Sequence, residues 1–273
     1  MIKITDVNFS YPGQNIKAIE NINLEIKEGS FCAILGPNGS GKSTLIHLLN
    51  GIILPQTGDI TIDGFSVKDG KGVWEARKRL VITFQNPDNQ IVGNTVERDI
   101  AFGPENLGIT REEILKRIDE VLENVKLAKY RYAEPYSLSQ GQKQKLAIGS
   151  VLAMQPSYMV LDEPGSMLDF YSREEIMSIL ERLNQEGKTI LFSTHDLDLS
   201  LKAKEIILLN KGRLIGRFPK QELPRYLDEL TANDVSMPFW AKVARQLRIN
   251  GIEIGPYSSS ADFEEQLCLL LKS

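Results

Sequence analysis

The chain is poor in the features that would place it outside the cell, inside a bilayer or on nucleic acid. Only Cys32 and Cys268 occur among its 273 residues, too few for a disulfide framework, so a reducing compartment fits. Cys32 lies in an apolar run, where a free thiol packs as a small hydrophobe. No apolar stretch approaches the roughly 20 residues that a membrane-spanning helix needs. The opening Met1-Ile2-Lys3-Ile4-Thr5-Asp6 has no apolar region of the signal-peptide kind. A protein soluble by itself, able to dock on a membrane partner, is therefore expected. Basic residues (32) do not outnumber acidic ones (36), and the net charge of −4 gives no argument for nucleic acid. No internal repeat is visible. What is present, 42% hydrophobic and 25% charged residues, is ordinary for a globular protein.

The stretch that organises the chain is Gly36-Pro37-Asn38-Gly39-Ser40-Gly41-Lys42-Ser43-Thr44. It follows the apolar run Phe31–Leu35 and leads into the apolar Leu45–Leu49, the strand–loop–helix setting that the P-loop pattern GxxxxGK[ST] requires. Glycines let the backbone curl until several N–H groups point inward at phosphate oxygens, and the start of the helix adds the positive end of its dipole. In this pattern Lys42 reaches the β- and γ-phosphates and the Ser43 hydroxyl ligates Mg²⁺. Downstream, Tyr158-Met159-Val160-Leu161 ends in Asp162-Glu163. An acidic pair after a buried strand pairs with a P-loop: the aspartate holds Mg²⁺, through water, and Glu163 is placed to polarise the attacking water. Leu138-Ser139-Gln140-Gly141-Gln142 opens a further helix, and Ser139 with the Gly141 backbone offers a second anion-binding helix start. One nucleotide does not need both, so the second site is expected to serve a nucleotide held by another copy.

The chain opens with alternating strands over residues 2–9 and 19–26, joined through the turn Tyr11–Asn15. Gly58–Gly64 reads as a short strand, Glu75–Arg79 as a charged helical piece, and Leu80–Phe84 as a buried strand. Residues 86–154 then lose strand character. Thr110 and Glu113 form a capping box, followed by an apolar face at Ile114, Ile118, Val121, Leu122 and Val125. Strands resume at 158–161, 189–193 and 205–209, with a helix over 172–186 between the first two and a last strand at 213–218. Strands alternating with helices imply a parallel sheet covered on both faces. Residues 219–273 look helical, with Phe239, Val243 and Leu247 on one face before Gly251, and Phe263, Leu267 and Leu270 on another. Such faces cover a core of their own in the first reading and make an oligomer contact in the second.

The ordered set of stations resembles an ABC-type ATPase over about residues 1–218. On that resemblance Gly36–Thr44 is Walker A, Leu138–Gln142 the signature, with Gln140 in place of its first glycine, and Tyr158–Glu163 Walker B. The resemblance further implies that Tyr11 stacks on adenine, that Gln85 is the Q-loop glutamine, a ligand to Mg²⁺ and part of the catalytic set, and that Ser166-Met167-Leu168-Asp169 is the D-loop, with Phe170 where proline is frequent. His195 matches the switch histidine; it ends a predicted strand, at the sheet edge where ligands bind in α/β folds, and can sense a γ-phosphate. His47 reads as a structural histidine behind the P-loop.

The implied fold is α/β, a P-loop NTPase ABC-ATPase fold with a RecA-like core sheet, an antiparallel β-subdomain and a helical subdomain (about 86–154), plus a small, mainly helical C-terminal extension (219–273). More narrowly, Phe84–Gly93 and Thr95–Asn106 resemble the ATPase subunits of energy-coupling factor (ECF) transporters, and the Asn-rich FQNPDNQ resembles the first of their paired ATPases. That resemblance implies an ATPase at the cytoplasmic face of the membrane that uses ATP and Mg²⁺. Its partners would be a second ATPase subunit, identical or related, a transmembrane coupling protein and a substrate-binding membrane protein for vitamins or transition-metal ions. Asp88, Asn89 and Gln90 are expected to face the membrane partner. The rivals are a conventional ABC importer ATPase, disfavoured by residues 86–106, a soluble ABC protein acting on DNA or ribosomes, disfavoured by length and charge, and a P-loop kinase, disfavoured by the signature and His195.

Overall fold

The computed structural model describes residues 1–13, 16–252, 254, 257 and 259–272, the last of these by its backbone alone. Gln14 and Asn15 of the expected turn lie outside the described residues. In chain order the elements are β1 (Ile2–Phe9), β2 (Ile19–Ile26), β3 (Phe31–Leu35), α1 (Lys42–Leu49), β4 (Thr57–Ile62), β5 (Phe65–Ser66), α2 (Gly70–Arg79) and β6 (Leu80–Thr83). There follow α3 (Val96–Asn106), α4 (Arg111–Asn124), α5 (Gln140–Leu152), β7 (Tyr158–Leu161), α6 (Phe170–Gln185), β8 (Thr189–Thr194), α7 (Leu197–Ser200), β9 (Glu205–Asn210) and β10 (Arg213–Pro219). The chain closes with α8 (Leu223–Ala232), α9 (Phe239–Ile249) and α10 (Ser260–Lys272).

Two sheets result. An antiparallel sheet runs β2-β1-β4-β5, and a six-stranded sheet runs β10-β9-β3-β8-β7-β6. The second is parallel except for β10, which returns beside β9. Lys211 and Gly212 turn that hairpin, both with positive φ (47° and 75°), the conformation that matches strand twist in a tight hairpin. Alternation along the buried strands divides the core by face. Met159, Leu161, Ile190 and Phe192 point to the side packed with α3–α6, whereas Tyr158, Val160 and Leu191 point to the side shared with α1 and the antiparallel sheet. A third cluster joins Leu35, Ile206, Leu208 and Phe218 to α7, α8 and α9.

Three local expectations change. Helix α2 begins at Gly70, five residues before the charged run suggests, because Gly72 lies where a Cβ would meet the Ser66 carbonyl at 2.4 Å; the glycines that weaken the helical signal allow its close packing on β5. Thr110 does cap α4 through the Glu113 N–H, but the return bond of a capping box is found at Ser139 and Gln142 instead. On α9, Phe239 is 82% exposed, and Trp240, Ala241 and Ala244 are the buried residues. The indole meets Tyr257 and Phe263 from beyond Gly251, a tertiary partner that the spacing of one helix does not reveal.

Candidate nucleotide-binding and hydrolysis site

The glycine loop leaves the C-terminal end of β3. Its Gly36 N–H bonds the Thr194 carbonyl of β8 at 3.2 Å, and a Cβ on Gly36 would stand 2.1 Å from the Leu209 carbonyl. Gly41, the N-cap of α1, has φ +104°, and a Cβ there would meet the Ala18 carbonyl at 2.6 Å. The Ser40 carbonyl accepts the Gly212 N–H at 2.9 Å. The loop is thus clamped from outside by the residue before β2 and by the β9–β10 turn. Inside it, Lys42 Nζ donates to the Gly36 and Pro37 carbonyls (2.8 and 3.1 Å) and lies 3.6 Å from Glu163. Burial pushes the Lys42 ammonium below its ordinary range, opposed by the Glu163 and Asp162 carboxylates; an incoming polyanion would restore what burial removes.

A cleft of about 660 Å³ opens over this loop. Tyr11, Asn38, Gly39, Gly41, Lys42, Ser43, Thr44, Gln85 and Glu163 line it, which brings together most of the sequence-selected residues. Tyr11 is braced edge-on against Phe9, and its hydroxyl is 3.1 Å from Thr44 Oγ1. Ile16, Lys17, Ala18, Lys211 and Gly212 also form the wall; sequence reasoning passed over them because they come from connections distant in the chain.

At the inner end of the cleft the Glu163 carboxylate collects three groups. Gln85 Nε2 donates to Oε2 at 3.2 Å, His195 Nδ1 lies 3.3 Å from Oε1, and Lys42 is next to it. Glu163 holds φ +43°, a left-handed conformation that costs a non-glycine residue about 1–2 kcal/mol. Its N–H is fixed by Ser193 Oγ at 2.8 Å, and the same hydroxyl donates to Asp162 Oδ1 at 2.6 Å. Asp162 is buried behind the cleft and is not in its wall. Ser193 was missed as a site residue, although a serine closing an apolar buried strand is the available signal. Among the described residues no three His, Cys, Asp or Glu side chains form a metal cluster. Oxygen donors are nevertheless present: the Ser43 hydroxyl, and the Gln85 amide oxygen left over once its nitrogen binds Glu163. Such a set suits a hard cation that keeps several waters, as Mg²⁺ does.

Ser139, Gly141 and Gln142 are not in this cleft. Ser139 caps α5 within its own box, and a Cβ on buried Gly141 would meet Ser172 Oγ of α6 at 2.8 Å. The ion pair of Lys145 with Glu175 (2.6 Å) also binds α5 to α6. Gln90 is half-buried in the wall of the groove formed by Trp74, Phe84, Val92 and Phe102, with its amide already committed inside the protein. Its Oε1 accepts the Phe84 N–H (3.3 Å) and its Nε2 donates to the Ala147 carbonyl (3.1 Å), because those backbone groups need partners inside the protein. Asp88 is paired to Lys143 at 2.7 Å, and Asn89 is exposed.

The family model described as ABC transporter matches residues 19–166. The energy-coupling factor transporter ATP-binding protein EcfA1 of Bacillus subtilis is 41% identical over 256 residues, covering 93% of this chain and 91% of that protein. The chain belongs to the ECF transporter ATP-binding proteins of the ABC family. The solved structure of CbiO1 from Clostridium perfringens, described as part of the ABC transporter complex CbiONQ, aligns with a TM-score of 0.76 at 32% identity over 90% of this chain and 98% of that one. A dimeric ATP-binding cassette in a post-hydrolysis state with ADP and Pi gives 0.72 at 31% identity, over 80% of this chain and 98% of that one. As an ECF-type ATPase, the chain binds ATP and couples its hydrolysis to import. No helix among the described residues is long and apolar enough to cross a membrane.

Proposed function

We propose that this ATPase works as one of a facing pair, each ATP lying between one subunit's Gly36–Thr44 loop and the other's Ser139, Gly141 and Gln142. The observation that carries this reading is the separation within one chain. Lys42, Gln85 and Glu163 line one cleft and His195 meets the Glu163 carboxylate from a small adjoining pocket, while the anion-binding start of α5 lies outside the cleft. That a similar cassette is dimeric with ADP and Pi bound supports a pair.

In the proposed cycle Tyr11 receives the adenine, and backbone N–H groups of residues 36–44 hold the phosphates. Lys42 neutralises the β- and γ-oxygens and recovers the charge stabilisation that burial withholds. Glu163 accepts a proton from the attacking water, a general-base role that typically contributes ~10²–10⁴ in rate. His195, which lies against that carboxylate, turns its single ring N–H to the γ-phosphate when it is present and so reports it. A pocket of about 50 Å³ beside Glu163 and His195 is large enough for water. Ser43 and Gln85, with Asp162 acting through water, would hold Mg²⁺, which would supply charge neutralisation to the phosphates.

Residues 1–218 then form the ATPase unit, with 86–154 as its helical part and 219–273 as an extension. The partners proposed are a second ATPase, identical or related, a transmembrane coupling subunit and a membrane subunit that binds a vitamin or transition-metal ion; nucleic acid has no part. A groove of about 390 Å³ whose wall includes Trp74, Phe84, Val92, Phe102 and Met154 fits an apolar helical segment of the coupling subunit. The similarity to CbiO1, itself part of a transporter complex, supports such an assembly. In that assembly the chain would sit on the cytoplasmic face of the membrane as a peripheral subunit. The test is Glu163→Gln in the assembled transporter: ATP binding is retained, the steady-state rate falls by ~10² or more, and a closed ATPase pair accumulates on sizing. Near-normal hydrolysis would remove Glu163 from its role.

A further inference from the structure

The His195 loop is held by more than the sheet it leaves. Asp196 bonds its own N–H to Thr194 Oγ1 (3.0 Å), caps α7 through Oδ1 to the Leu199 N–H (3.2 Å), and pairs Oδ2 with Arg173 at 3.0 Å. Each of these partners belongs to the ATPase core. Two further attachments come from the extension. The backbone of Asp196 forms a parallel bridge with Ser236 in the link between α8 and α9. On the next turn, Asp198 Oδ1 accepts the indole N–H of Trp240 at 2.8 Å.

These attachments rest on a packed base. Val235 and Met237, flanking Ser236, are buried in one cluster with Leu197 and Leu201, at the two ends of α7, and with Leu227 and Leu230 of α8. Trp240 is wedged against Tyr257 and Phe263, with ring centroids 6.2 and 5.9 Å away. Phe263 belongs to α10, so the last helix of the chain is linked through one indole to a residue three positions beyond His195. His195 itself is half exposed and makes its described contact with Glu163 alone. Its orientation therefore depends on where Thr194 and Asp196 hold its backbone.

We infer that the C-terminal extension is a strap that positions His195 for ATP hydrolysis, with Trp240 and Asp198 as its positioning residues. The inference rests on the proposed role of His195. A tryptophan used only as packing would keep its ring contacts whether or not its N–H had a partner, so deletion of the N–H alone separates positioning from stability. Spatial continuity by itself does not establish coupling; a double-mutant cycle does.

The experiment uses the full chain in its assembled transporter. Trp240→Phe keeps an aromatic ring against Tyr257 and Phe263 and removes the donor. It is expected to lower kcat by ~3–10-fold with the ATP dissociation constant held within about twofold. Asp198→Leu does the same, and Asp198→Asn, which retains an oxygen acceptor, recovers most of the rate lost in the leucine variant. In a His195→Ala background Trp240→Phe causes no further loss. Wild-type kcat in Trp240→Phe would overturn the inference, and so would a full additional loss on top of His195→Ala, which would show the effect bypassing the histidine. If His195→Ala alone retained the wild-type rate, the assignment of His195 would fail first and the inference would fall with it.

Discussion

Replacing Ser193 by alanine removes one hydroxyl from the interior and tests the reading of the hydrolytic centre at its base. That hydroxyl donates to Asp162 Oδ1 at 2.6 Å and accepts the Glu163 N–H at 2.8 Å. Asp162 is only 5% exposed, so water does not readily replace the lost donor. A hydrogen bond to a buried charged group contributes about 1.5–3 kcal/mol, and an orphaned amide adds to the deficit, for a total of about 2–4 kcal/mol. In a chain of this size that corresponds to a fall in Tm of roughly 4–16 °C. Function should suffer as well: Glu163 occupies a left-handed conformation at φ +43°, and with its N–H released the backbone relaxes and the carboxylate leaves Gln85 and His195. The assay is urea denaturation alongside steady-state ATPase in the assembled transporter, with Ser193→Thr as the variant that keeps the hydroxyl. A loss below about 0.5 kcal/mol together with normal ATPase would refute the claim that Ser193 fixes both acidic residues.

Two other outcomes follow from the geometry. Gly41→Ala places a Cβ 2.6 Å from the Ala18 carbonyl at φ +104°. A stability loss of about 1–3 kcal/mol and weakened ATP binding are expected by melting and nucleotide titration; wild-type affinity would contradict the clamp described for the loop. The Lys145 ammonium bonded to Glu175, with Lys126 nearby and burial opposing, holds that carboxyl below its ordinary value of 4.5. A depressed folded-state pKa means that the contribution to stability is present above pH 4.5 and is lost as pH falls through the lower folded value. Glu175→Gln should therefore flatten the acid limb of urea midpoints measured from about pH 3 to 7, and an unaltered acid limb would count against the ion pair.

The phosphate loop was legible in the sequence because its chemistry is local. Glycines, a lysine and a hydroxyl at fixed spacing describe a backbone shape, and the flanking apolar runs supply the strand and helix. The positions of Asp162, Glu163 and His195 were legible for the same reason, since each directly follows a buried strand, and the structure brings His195 to Glu163. What could not be read depends on register between distant segments. Ser193 reaches Asp162 because β7 and β8 lie in parallel with Leu161 opposite Phe192, and Ala18 and Gly212 reach the glycine loop from opposite ends of the chain. In the extension, the spacing of Phe239, Val243 and Leu247 marks a helix correctly, yet which side is buried was decided by Tyr257 and Phe263. The start of α2 was hidden because glycine lowers helix propensity at the place where close packing needs it.

Gln90 has a mechanical meaning as well as a structural one. Its single amide spans the Phe84 N–H, next to Gln85, and the Ala147 carbonyl in the middle of α5. Backbone groups at both ends of that span are committed to the same side chain. The Gln85 loop and the helix that starts at Ser139 are therefore geared together: a displacement at one must turn the other or break one of the two hydrogen bonds. In the pair proposed above, a push on that loop would therefore also change the angle of the helix that starts at Ser139, with no message passing through the cleft itself.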